Sequence, residues 1–108
     1  MATNVFMPSS AHVATVPITV SPSGLACSAE LWLSATPGGS GTKLASVTKT
    51  FTSTGAAQNI TFNVTMPSTS GVIYIFIDLY VGGQLLLGYN VVDTITVPSG
   101  SVGPPVWS

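Results

Sequence analysis

In residues 58–66, QNITFNVTM, Ile60, Phe62, Val64 and Met66 alternate without a break with Asn59, Thr61, Asn63 and Thr65. Side chains of an extended strand point to opposite faces in turn, so a period of two buries one face and wets the other. A helix would need apolar residues at three- and four-residue spacing, and that pattern is hard to find anywhere in this chain. Similar alternating runs, bounded by Gly, Pro, Ser and Asn, recur about every ten to fifteen residues. The reading is all-β.

The remaining runs follow the same logic. HVATVPITV (12–20) is a first strand, and Pro17 inside it donates no ladder hydrogen bond, which assigns it to an edge. After the turn SPSG, LACSAELWL (25–33) puts Cys27, Ala29, Leu31 and Leu33 on one face and Glu30 and Trp32 on the other. SATPGGSGT (34–42) reads as a flexible surface loop. KLASVTKTF (43–51) is a third strand carrying both lysines, and 58–66 is the fourth. VIYIFIDLYV (72–81) is a fifth, central strand, Gly82-Gly83 turns the chain, and QLLLGYN (84–90) and VVDTITV (91–97) are a sixth and a seventh. Seven short strands in about 85 residues predict two packed sheets, an immunoglobulin-like antiparallel β-sandwich of about seven strands. A jelly roll, which usually needs eight strands and more residues, and a small barrel are the competing all-β forms. The Cys–Trp–Cys pattern of antibody domains is not in the sequence. The expected organisation is an N-terminal arm (1–11), one sandwich domain (12–98) and a Pro/Gly/Ser-rich tail (99–108).

Composition narrows the function classes. Of 108 residues, 5 % are charged, against about 25 % in a typical soluble domain. Ser, Thr, Asn and Gly supply the polar surface instead, and a net charge of −1 favours association over mutual repulsion. Disorder is set aside because 45 % of the chain is apolar. Two lysines cannot track a phosphate backbone, so nucleic acid is not an expected partner. With one cysteine, Cys27, there is no intrachain disulfide framework, and no residue cluster suggests a metal or cofactor. Cys27 reads as a small buried strand residue, with a reactive or intermolecular thiol as the alternative. Residues 61–89 carry a single charge, Asp78, yet the apolar run 72–81 is about half the length of a membrane-spanning helix, and one such strand does not make a membrane barrel. No membrane span is expected. The opening MATNVFMPSS lacks the basic and apolar regions of a secretory signal; either a signal was removed, or none was needed, as for a virion protein.

Catalytic groups are few. His12 with Cys27 as a thiol dyad lacks an orienting partner, and Glu30 with Asp78 or Asp93 as a glycosidase pair needs a deep cleft that a small sandwich rarely has. The chain reads as a non-enzyme. Asn59-Ile60-Thr61 and Asn63-Val64-Thr65 are glycosylation sequons about 13 Å apart on one open strand face, or simply a hydroxyl and amide ladder. In the fifth strand Ile73, Ile75, Ile77 and Leu79 point one way and Tyr74, Phe76, Asp78 and Tyr80 the other. Both faces are too apolar for one to stand in water. Three covers are conceivable: a loop, or the tail with Trp107, from the same chain; a subunit interface using Tyr74, Phe76, Asp78, Tyr80 and Trp32; or a sugar stacked on Tyr74, Tyr80 and Trp32.

VPITVSPSGL, AELWLS, FTSTGAAQNITFNVTMPSTSG, IYIFIDLYVGGQLL and the closing DTITVP together resemble the cadence of bacterial and archaeal adhesion-type immunoglobulin-like modules, CARDB-like domains among them, over about residues 16–98. The resemblance implies an accessory structural or binding domain and carries over no site residue. The expectation is a non-catalytic module that self-associates as a homo-oligomer or decorates a larger assembly, in a virion as a structural or capsid decoration protein, or extracellularly in a cell-surface layer or fibre. The alternative is a carbohydrate-binding or adhesion domain of an extracellular protein.

Overall fold

The computed structural model describes residues 3–107. Seven strands occur among them: β1 (Thr3–Val5), β2 (Ala11–Thr19), β3 (Ala26–Ser34), β4 (Ala45–Thr52), β5 (Ala57–Thr65), β6 (Gly71–Val81) and β7 (Gln84–Val97). They form two sheets, a five-stranded one in the order β1-β7-β6-β3-β4 and a two-stranded one of β2 and β5. This is the all-β, immunoglobulin-like sandwich that the alternation predicts. The β6 strand is central, and β2, with Pro17, is at an edge.

Alternation decides which side chains meet between the sheets. Ala29, Leu31 and Leu33 of β3 and Ile73, Ile77 and Leu79 of β6 bury their side chains toward the small sheet. From the other side come Ile18 of β2 and Phe62 and Val64 of β5, with Met66 just beyond. Cys27 lies in the same core, its thiol donating to the Leu25 carbonyl at 3.4 Å. On the opposite face of β5, Asn59, Thr61, Asn63 and Thr65 are exposed, so both sequons stand open to solvent.

Three boundaries differ from the sequence reading. The expected N-terminal arm contributes β1, which pairs in parallel with β7 from Thr3↔Thr94 to Val5↔Thr96, and Phe6 extends the contact by donating to the Thr96 carbonyl. Three residues are too few to show a period; only the partner strand defines them. Residues 84–97 form one strand, not two, and irregular pairing absorbs the break. Tyr74 faces Thr94 while Phe76 faces Asn90, so β7 spends two extra residues there, and an even number leaves the alternation intact. Lys43 precedes β4 and belongs to the loop.

Phe62 is fully buried at the centre of the small sheet's inner face, whereas Val13 is on its exposed face. Phe62→Ala is expected to cost about 3–5 kcal/mol in urea unfolding, and Val13→Thr to stay within about 0.5 kcal/mol. Equal costs would contradict this placement of the core.

Candidate interaction surface

The outer face of the large sheet is built from cross-strand pairs: Trp32 opposite Phe76, Glu30 opposite Asp78, Ser28 opposite Tyr80 and Ser34 opposite Tyr74. Trp32 and Phe76 are in ring contact, centroids 4.5 Å apart at 33°, and the Trp32 indole Nε1 donates to Asp78 Oδ2 at 3.0 Å. Gly88, opposite Asp78, leaves room for this: a Cβ there would lie 3.1 Å from Asp78 Oδ1. The loop between β3 and β4 then closes over the pair. At Gly39, whose φ of +85° favours glycine, an added Cβ would lie 3.5 Å from Asn90 Oδ1 and 3.7 Å from the Phe76 ring, which places the loop next to the pair. Lys43 Nζ lies 5.2 Å from the Trp32 ring centroid and donates to both Glu30 carboxylate oxygens, at 2.8 and 2.9 Å. These hydrogen bonds hold the Lys43 ammonium above its ordinary 10.5, against a small opposing effect of desolvation and with some help from the negative charge of Glu30.

This arrangement corrects part of the sequence reading. Trp32 and Phe76 are only 3–4 % exposed, covered by their own chain, and so offer no free face to a neighbouring subunit. A three-ring sugar platform with Trp32 does not form either. Asp78 is spent on the indole, and Tyr74 and Tyr80 are half-buried. The cover is the loop and not the tail: Trp107 is exposed.

The open apolar surface lies elsewhere. Leu85, Leu86, Leu87 and Tyr89 are between 49 % and 58 % exposed at the hairpin end of β7. A bulge distributes them. Leu79 faces Leu87 but Tyr80 faces Leu85, so Leu86 is the extra residue, Leu85 joins the outer face and Leu87 the inner. Tyr89, opposite Ile77, also points inward. Inward-facing yet exposed side chains mean that the two-stranded sheet does not reach them. Instead, two apolar grooves of about 340 and 410 Å³ run between β2 and the inner face of β6 and β7, with Val16 and Ile77 lining both. In sequence QLLLGYN reads as an ordinary paired strand; its three successive leucines, which no alternation can bury together, are the signal of this surface.

The remaining candidates do not assemble. His12 stacks on Phe6, ring centroids 3.7 Å apart, and Ser10 Oγ is 2.8 Å from its Nε2. It begins β2, whereas Cys27 begins β3 after the chain reverses, which puts them at opposite ends of strands about 25–30 Å long. Glu30 and Asp78 are neighbours, but each is engaged by an intrachain donor; Asp93 lines the inner groove. Among the described residues no three His, Cys, Asp or Glu side chains gather as a metal site, and no helix is long and apolar enough to cross a membrane. Comparison with family models, curated proteins and solved structures gives no match.

Because the folded-state pKa of Lys43 is raised, its contribution is complete below 10.5 and is lost as pH climbs through the higher folded value. In a Trp107→Phe chain, acrylamide quenching of Trp32 is therefore expected to rise only as pH climbs above 10.5 through that higher value, and Lys43→Ala to show the higher quenching at every pH. A pH-independent slope identical in both chains would contradict the loop-and-lysine cover. Trp32→Phe, which keeps the stacking and removes the donor to Asp78, should cost about 1.5–3 kcal/mol in urea unfolding.

Proposed function

We propose that this chain is a non-catalytic structural module that associates with copies of itself or decorates a larger assembly, such as a virion or a cell-surface layer or fibre. The observation that carries the reading is the exposed run Leu85, Leu86, Leu87 and Tyr89, on both faces of one hairpin and far from any charged side chain in sequence except Asp78 and Asp93. Exposed apolar side chains gathered at one hairpin mark a contact site, and aromatic and aliphatic residues without Lys or Glu are what the centre of an interface holds.

Two further features support it. A surface of Ser, Thr, Asn and Gly with a net charge of −1 raises little repulsion between copies. The charged groups of the outer face are engaged in packing within the chain, Glu30 under Lys43 and Asp78 on the Trp32 indole. The resemblance to adhesion-type immunoglobulin-like modules points to the same class of role.

A half-exposed leucine has about 1 kcal/mol left to gain on full burial. Leu85→Ser with Leu87→Ser is thus expected to weaken association about thirtyfold, measured by sedimentation velocity over a concentration series. A wild-type chain that sediments as a monomer at every concentration would contradict self-association.

A further inference from the structure

The small sheet is short of a strand. Its β2 pairs with β5 on one side, and among the described residues no strand pairs with the other side, although the two grooves run directly beneath that edge. A free strand edge presents unpaired N–H and C=O groups, and here the surface next to it is apolar as well: Ile77, Leu79, Leu87 and Tyr89 of the large sheet. An added strand would satisfy both needs at once, pairing its backbone with β2 and placing alternate side chains over β6 and β7.

The chain carries a segment suited to that place. Residues 98–107 have no regular structure, and Val102, Val106 and Trp107 are 86–98 % exposed. The segment has no charged residue, and Val102, Pro104 and Val106 recur at a period of two, which gives an extended chain one apolar face. Extended, its ten residues span about 33 Å, against about 30 Å for the nine residues of β2. Its root, Pro98 to Gly100, sits between Met7-Pro8 and the Ser68–Ser70 turn, at the end of the sandwich. The molecule measures 73 × 23 × 23 Å with a radius of gyration of 17.3 Å, where a compact chain of this length would have about 13 Å. The segment therefore projects away from its own grooves.

We propose that the tail of one copy adds as a strand to the β2 edge of a second copy, filling the grooves between β2 and β7. This rests on the association reading and specifies its geometry. Because tail and groove are different surfaces, two copies can exchange tails as a closed pair, or successive copies can pass them on head-to-tail as an open chain or ring. Successive residues of a strand direct their backbone groups to opposite edges. Of Pro104 and Pro105, one thus withholds a single donor from β2, and the other blunts the new outer edge, which limits the addition to one strand.

The test uses the full chain and a V102D/V106D variant, whose altered side chains make no core contact. Molar mass by light scattering and hydrogen exchange of β2 amides are followed across concentration. The expected result is a mass that grows with concentration, with slowing exchange in β2; in the variant, association is weaker by about tenfold or more and the β2 protection is gone. If the variant associates as tightly as the wild type, the tail proposal is overturned while the association reading stands, with the contact placed on the β7 hairpin. A concentration-independent β2 protection that the variant abolishes would show the tail in its own groove and overturn the second copy as occupant. A wild-type chain that is monomeric throughout, with β2 unprotected, would overturn both.

Discussion

Two strands cannot cover five. That mismatch between the sheets governs what is buried and what is left open. The small sheet lies over the side of the large one where β3 and β4 run, with β5 packed near β4; Ile95 and Val97 of β7 are buried, but at its hairpin end the inward-facing Leu87 and Tyr89 are left uncovered. Since apolar burial is the main driving force of folding and of most association, an inward-facing surface with no partner is where further contact is most favourable. Leu87 and Tyr89 belong to the core side of the sheet by register and to the surface by exposure.

The other apolar excess is resolved within the chain. The outer face around Trp32 and Phe76 would have been an equally greasy surface, but the β3–β4 loop lies on it, and Lys43 is anchored over the indole by Glu30. The indole N–H, which must find a partner when buried, finds Asp78. The few charged residues are thus concentrated here: Glu30, Lys43 and Asp78 are three of the five charged side chains, and all three serve this one cap. A protein so poor in charge has spent most of it on closing one face, and has little left with which to solubilise the other.

The sequence was informative where periodicity is long enough to measure. Residues 58–66 and 25–33 announced their faces correctly, and Pro17 announced an edge, because these signals are local. What could not be read locally was which of two apolar faces would be covered and by what. The sequence SATPGGSGT looks like a solvated loop, and Gly39 does permit the left-handed turn within it, but the docking depends on the register of β3 against β6. The short parallel strand Thr3–Val5 was invisible for the same reason, since its pairing is dictated by β7. The three leucines at 85–87 break the period of two, and a bulge that sends Leu85 and Leu87 to different faces is how the fold accommodates them.

The proposed association would cover the inward-facing Leu87 and Tyr89 at the hairpin end of β7. Carbene footprinting of the assembled and the dilute chain, read residue by residue, tests it most directly. Labelling at Leu87 and Tyr89 should fall sharply on assembly while that at Asn59 and Asn63, on the far face of the small sheet, stays constant. Unchanged labelling at Leu87 and Tyr89 in a demonstrably assembled sample would contradict it.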